Sequence, residues 1–357
     1  MTKPSILVMA GGTGGHIFPG LAVAECLRDR GWSVAWLGNA NGMEYRLVPS
    51  RGFQFQSVGF GGLRGKGLFT KLMLPINLAR ACWQSWGIIR RLKPSVVLGM
   101  GGYITFPGGL MSVLLKRPLV LHEANSIAGS ANRYLSNIAT KTLTGFPNTL
   151  PDSEWVGNPI RTEFEALDTP AQRYGARTGT LSLLVVGGSL GASALNETIP
   201  AALALMPLES RPIVLHQAGE KHVDKLKQRY AELGVVADVC AFIDDMAGAY
   251  ASADLVVCRS GAMTVSELAA CGVASYLVPF PFAIDDHQTA NAQFLANANA
   301  AKLLPQAEFN PNAFAQWLQG TRRIDLLRMA ERAHQLAKLQ ATERVAAICA
   351  ECAGVDQ

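Results

Sequence analysis

From Tyr45 to His122 the chain carries no Asp and no Glu. The same stretch holds Arg46, Arg51, Arg64, Lys66, Lys71, Arg80, Arg90, Arg91, Lys93, Lys116 and Arg117. One part of the molecule therefore presents a basic field suited to an anionic ligand or surface, which the net charge of +5 understates. Nucleic acid would suit that charge, but no nucleic-acid module or RNP-type aromatic signature is present. Charged residues are few at 17% against 49% apolar, which excludes disorder and supplies ample core. The seven cysteines include one CxxC, Cys349 and Cys352, with no second pair to complete a zinc site. Buried thiols in a reducing compartment are the expectation. No secretory signal opens the chain, which points to the cytosol. The uncharged run Pro94 to Leu115 is long enough to cross a bilayer, yet its glycines and prolines read better as strand, loop and helix. A P-loop and a DxD motif are absent. Their absence argues against kinase and metal-bridged nucleotide chemistry.

What is present is alternation. At 357 residues two domains are expected. Short β-branched runs alternate with helical patterns, which predicts α/β domains with parallel sheets. Strands are expected at 5–9, 33–37, 53–58, 95–98, 119–122 and 140–143, then at 181–186, 213–217, 239–243, 254–258, 274–278 and 301–304. Both halves open as strand, glycine loop, helix, at Gly11-Gly-Thr-Gly-Gly15 and Gly187-Gly-Ser-Leu-Gly191. The boundary is set near Val156-Gly-Asn-Pro159. That gives an N-terminal Rossmann-like domain over 1–158, rejoined by a C-terminal helix at 341–357, and a second over 159–340. Two such domains facing each other would leave a cleft lined by the carboxyl ends of both sheets.

The first glycine loop, with Pro19 expected in the first turn of the following helix, offers backbone amides and a helix N-terminus to an anion. A dinucleotide fits it badly. Ile17 stands where the third glycine of GxGxxG belongs, and strand two ends at Gly38-Asn39 without a ribose-binding acid. Gly99-Met-Gly-Gly-Tyr103 follows another strand, so two glycine loops side by side could hold a diphosphate. In the second half, Cys258-Arg-Ser-Gly-Ala-Met-Thr-Val-Ser-Glu267 would aim a helix N-terminus at a pyrophosphate, with Glu267 within reach of a ribose. Thr264-x-x-Glu267 matches a capping box equally well. Asp285-Asp-His-Gln288 reads as a metal or acid–base run, or as a solvated helix start. His16 and Glu123 are the general-base candidates. From Gly65 to Arg91, Trp83, Trp86 and other apolar side chains interleave with the cations, a pattern suited to an anionic bilayer surface.

These motifs in this order resemble the MurG family of GT-B glycosyltransferases, through GGTGGHIFPGLAVA, LRGKG, VLGMGGY, HEANSIAG, VGNPIR, VVGGSLGA, FIDDM, CRSGAMTVSELAACG, DDHQTANA and ATERVA. The resemblance runs from residue 11 to 346. It implies inverting transfer of GlcNAc from UDP-GlcNAc to the C4 hydroxyl of undecaprenyl-pyrophosphoryl-MurNAc-pentapeptide (lipid I). The product would be lipid II, for peptidoglycan synthesis and hence cell-wall biogenesis, cell shape and division. By the same resemblance the donor meets Thr13, Gly14, Gly15, Asn125, Arg161, Ser189, the Ile243 backbone, Ala262, Met263, Thr264, Val265, Ser266, Glu267 and Gln288. The acceptor diphosphate meets Gly14, Gly101, Gly102 and Tyr103. His16 is the first choice for base and Glu123 the second; no metal or cofactor is called for. Partners are UDP-GlcNAc, lipid I and an anionic membrane, with no nucleic acid, and the expected site is the cytoplasmic face of the bacterial inner membrane, held peripherally. Ala124 and Leu190 stand where relatives often carry Gln, so no side-chain role is carried onto either. Two alternatives remain: a UDP-GlcNAc 2-epimerase of the same fold, and a non-catalytic nucleotide-sugar-binding scaffold at the membrane.

Overall fold

A computed structural model describes residues 3–61, 73–188 and 191–355. The chain divides into two compact units, residues 1–161 with 340–357 and residues 162–339. The first contains β1 (Ser5–Met9), α1 (Gly14–Asp29), β2 (Ser33–Gly38), α2 (Glu44–Ser50), β3 (Gln54–Ser57), α3 (Leu74–Leu92), β4 (Val96–Gly99), α4 (Thr105–Leu114), β5 (Leu119–Glu123), α5 (Ser130–Leu135), β6 (Lys141–Thr144) and β7 (Glu154–Trp155). The second contains α6 (Pro170–Gly175), β8 (Ser182–Val186), α7 (Ser193–Ala204), β9 (Ile213–Gln217), α8 (Val223–Glu232), β10 (Asp238–Cys240), α9 (Met246–Ser252), β11 (Leu255–Cys258), α10 (Ala262–Cys271), β12 (Ala274–Leu277), α11 (His287–Ala296), β13 (Lys302–Leu303), α12 (Pro311–Gln319) and α13 (Arg323–Gln335). The chain then returns to the first unit as α14 (Ala341–Ala353).

Each unit is a parallel sheet, ordered β3-β2-β1-β4-β5-β6-β7 in the first and β10-β9-β8-β11-β12-β13 in the second. All twelve expected strands are present; β7, two residues long, was too short to leave a pattern. The strand expected at 239–243 stops at Cys240. Strands β4, β5, β11 and β12 are buried along their whole length, the signature of a parallel sheet covered on both faces. Alternate residues of β1 serve two cores: Ile6 and Val8 face one cluster, Leu7 and Met9 the other. Residues 94–115 form β4, a glycine loop and α4, and no helix among the described residues is long and apolar enough to cross a membrane.

The boundary falls at Arg161, three residues beyond the sequence-based one, and the physical reason is visible. His122 Nε2 donates to the Gly157 carbonyl at 2.8 Å, and Asn158 Nδ2 donates to the Ala124 carbonyl at 3.0 Å. Thr342 Oγ1 donates to the Ile160 carbonyl at 3.2 Å. The Gly-Asn-Pro run is thus sewn to β5 and α14 before the chain leaves. Helix α14 belongs to the first core through Val345, Ala346, Ile348 and Cys349, packed in the same cluster as Ile17, Leu21 and Ala24 of α1. Pro19 is the sixth residue of α1 and not in its first turn, because the helix already begins inside the glycine loop at Gly14. All seven cysteines are free; Cys258, Cys271 and Cys349 are buried, and burial pushes the Cys271 thiol up to about 12.

Candidate active site

In an open parallel sheet ligands bind beyond the carboxyl ends of the strands where the order reverses. In the first unit that point lies between β1 and β4, which pair Met9 with Gly99. The two glycine loops leave from there side by side. Met100 N–H donates to the Met9 carbonyl at 2.9 Å, and Thr105 Oγ1 donates to the Gly101 carbonyl at 2.8 Å. Gly101 and Gly102 have φ of 100° and 85°, which only glycine adopts freely. A Cβ on Gly102 would strike the Gly11 carbonyl oxygen, and one on Gly101 would lie 2.8 Å from His16 Cδ2. The second loop is therefore the surface against which the His16 imidazole rests. Tyr103 is exposed at its tip.

Thr13 caps α1 in extended conformation without a side-chain cap bond. Its Oγ1 instead lies 3.3 Å from His16 Nδ1. No side chain caps the first turn of α1, whose His16 N–H is taken by the Thr13 carbonyl (3.1 Å), and the hydroxyl orients the imidazole. One strand over, Glu123 ends β5 and is 3% exposed. Its Oε1 accepts from Asn125 N–H (3.0 Å) and Asn125 Nδ2 (3.4 Å), its Oε2 from Gly129 N–H (3.1 Å) and Asn132 Nδ2 (2.9 Å). Four donors occupy the roughly four acceptor directions of a carboxylate. In this arrangement Glu123 shapes the loop that carries Asn125, whereas a base needs a lone pair aimed at the acceptor. Asn132, nine residues downstream, takes part with no motif to announce it. Next to it, burial pushes the His122 pKa down despite the Gly157 carbonyl and the Glu123 carboxylate, keeping that ring neutral.

In the second unit the order reverses between β8 and β11. The loop after β8 holds Gly187, Gly188 at φ 80° and Gly191 at φ 76°; Ser189 and Leu190 lie outside the described residues. Gln217 Nε2 at the end of β9 donates to the Gly188 carbonyl (3.3 Å) and to the Ala241 carbonyl (3.5 Å). That bond ties this loop to the segment after β10 that carries Ile243. Helices α7 and α10 follow β8 and β11, and neither has a side-chain N-cap. The cap of α10 is Gly261, so Ala262, Met263 and Thr264 form its first turn and Val265, Ser266 and Glu267 its second. A capping box needs its hydroxyl at the cap and its acid three residues on. With Thr264 three residues past the cap, that reading is excluded.

Gln288 belongs to α11 and is held to the α10 loop. Its Oε1 accepts from Phe280 N–H at 2.9 Å, and its carbonyl accepts from Ser260 Oγ at 2.8 Å. Asp285 and Asp286 turn the chain into α11 with φ of 52° each, and Thr289 Oγ1 donates to Asp286 Oδ1 at 2.7 Å. That is the helix-entry reading of the acidic run. Arg161 is exposed and closes the first unit. The structure thus gathers Thr13 to His16, Gly101 to Tyr103 and Glu123 to Asn125 at one sheet edge. Ala262 to Glu267, Gln288 and the Ile243 segment gather at the carboxyl edge of the other.

Comparison with known proteins decides the family. The N-terminal domain model of glycosyltransferase family 28 matches residues 6–144, and its C-terminal domain model matches 182–347. The UDP-N-acetylglucosamine–N-acetylmuramyl-(pentapeptide) pyrophosphoryl-undecaprenol N-acetylglucosamine transferase of Polynucleobacter asymbioticus is 72% identical over 99% of both chains. The chain belongs to the MurG family. The Ralstonia nicotianae member of the MurG family is 60% identical over 98% of this chain and 96% of its own. A crystal structure of MurG from Acinetobacter baumannii matches with a TM-score of 0.88 at 39% identity, over 98% of this chain and 99% of that one. The glycosyltransferase of kitacinnamycin, at 15% identity and a TM-score of 0.71, shares the GT-B fold of the MurG family alone.

Proposed function

We propose that this chain transfers GlcNAc from UDP-GlcNAc to the C4 hydroxyl of lipid I, forming lipid II with inversion. What carries the reading is membership of the MurG family together with a phosphate-ready loop and helix N-terminus at the reversal point of each sheet. The second unit holds the donor: the α10 amides take the pyrophosphate, Glu267 the ribose, the Ile243 backbone the uracil, and Gln288 Nε2 a sugar hydroxyl. Ser189 and Arg161 supply further donors to the departing UDP. The first unit holds the acceptor diphosphate on Gly14, Gly101, Gly102 and Tyr103, with His16 as the base and Asn125 presented to the sugar by Glu123. The test is UDP release from UDP-GlcNAc with and without a lipid I analogue. Acceptor-dependent release is expected. Conversion of donor alone would mark a 2-epimerase, and donor binding without turnover a scaffold.

For Glu267→Ala the KM for UDP-GlcNAc is expected to rise by tenfold or so, the value of one hydrogen bond to a charged group. Its melting temperature should stay within about 2 °C of wild type, since no cap is lost. A melting point that collapses without a change in KM would reverse the assignment.

Membrane attachment at the cytoplasmic face is part of the same proposal. Helix α3 buries Ala81, Ser85, Ile88 and Ile89 and leaves Ile76, Arg80, Trp83 and Arg90 exposed, with Trp83 at 73%. The Arg90 guanidinium lies 5.0 Å over the Trp86 ring. Residues 62–72 of the basic stretch lie outside the described residues. An apolar and cationic face of this kind suits an anionic interface. Binding to liposomes is expected to increase with anionic lipid and to weaken as salt is added. Equal binding to neutral vesicles would remove the electrostatic part.

A further inference from the structure

At the end of β2 the sequence offers only Gly38 and Asn39, and so no acid near the first glycine loop. The fold brings one from six residues past the strand. Glu44 opens α2 and is 1% exposed. Its Oε1 accepts from Asn39 N–H at 3.0 Å and its Oε2 from Gly12 N–H at 3.4 Å. Three glycines make room for it. A Cβ on Gly11 would lie 2.5 Å from Glu44 Oε1, one on Gly38 would lie 2.8 Å from its Cγ, and one on Gly42 would collide with the carboxylate.

A carboxylate beneath an anion-binding loop is an odd neighbour for a diphosphate, because like charge weakens anion binding. Its presence is intelligible if it sets geometry. Gly12 sits at φ 92°, where a loop has no helix or strand to fix its amide. A charge-assisted hydrogen bond from a side chain that is itself immobilised by burial fixes it. We infer that Glu44 is a positioning residue that holds the Gly11–Gly15 loop in its receptor shape before the acceptor arrives. By occupying the Gly12 amide it assigns the acceptor diphosphate to the amides of Gly14 and Gly15, at the start of α1. This inference rests on the reading that the loop receives the acceptor.

Glu44→Gln keeps the volume but turns an NH2 toward one of the two amide donors; Glu44→Asp is a methylene short of spanning both. Each is expected to raise the KM for a lipid I analogue about tenfold, with the KM for UDP-GlcNAc within about twofold and kcat within about threefold. Hydrogen exchange tests the contact itself. In wild type the Gly12 and Asn39 amides should exchange at least about tenfold more slowly than exposed loop amides, and in either variant that protection should fall. Unchanged acceptor KM in folded variants overturns the inference. So does a joint rise of both KM values with a lower melting point, which marks a merely structural part. An unprotected Gly12 amide in wild type overturns it even if neither variant folds. Absence of any lipid I transfer in wild type, with Gly12 protected, sinks the functional reading and leaves the bracing contact standing.

Discussion

His16→Ala is expected to lower kcat about a thousandfold, the middle of the range for a lost general base, while UDP affinity stays within about twofold. UDP is allotted to α10 and the loop after β8, both in the second unit, and no part of that set uses an imidazole. His16 stands at the first turn of α1 with Nδ1 3.3 Å from Thr13 Oγ1 and its Cδ2 edge on Gly101. With the ring steadied at Nδ1, Nε2 is the nitrogen suited to take the acceptor proton. Glu123→Ala supplies the contrast. It strips four hydrogen bonds from the Asn125–Asn132 segment. It should therefore lower thermal stability and raise the donor KM as well as lower kcat. Steady-state kinetics and UDP calorimetry on both variants separate the roles. Retention of more than about a tenth of wild-type kcat in His16→Ala would show that proton removal lies elsewhere.

Much of this site was legible because its chemistry sits in backbone. A glycine loop between a strand and a helix advertises itself by composition, and both sheets place their loops where the strand order reverses. What stayed hidden is what reaches those loops from a distance. Glu44 and Asn132 carry no local pattern; Glu44 meets Gly12 only once β1 and β2 pair, and Asn132 meets Glu123 only once α5 folds back on the end of β5. The Thr264–Glu267 spacing was ambiguous for a different reason. A spacing of three fits either a cap or a helical turn, and only the position of Gly261 at the cap separates them. The unit boundary was misplaced by three residues because Gly and Pro mark a turn, whereas the bonds of Gly157, Asn158 and Ile160 decide which core owns it.

Replacing Asp254 is expected to cost about 3–5 kcal/mol, because it breaks a buried ion pair by removing one partner. Asp254 immediately precedes β11, the strand that leads to Gly261 and α10, to which the donor is assigned above. Its side chain is wholly buried. Oδ1 accepts from Arg177 at 2.8 Å and Arg323 at 3.1 Å, while Oδ2 accepts from Ser182 N–H at 2.8 Å. Burial pushes the carboxyl up, but the bonds from Arg323, Arg177 and Ser182 outweigh it and hold the pKa below the usual aspartate value. A depressed folded pKa gives stability that is full above the unfolded value of about 3.9 and is lost as pH falls through the folded one. Chemical denaturation of wild type from pH 7 downward should therefore lose this contribution only below about pH 4. Asp254→Asn, which keeps the shape without the charge, should be less stable at neutral pH and show a shallower acid slope. The Ser182 bond joins β8 to the head of β11, so the variant should also loosen the register Leu255↔Leu183 that sets the loops after β8 and β11 level. A fall in UDP affinity measured under conditions where the variant is folded is the expected result. Equal stability of wild type and variant at pH 7 would mean that Arg177 and Arg323 find other partners when the carboxylate is gone.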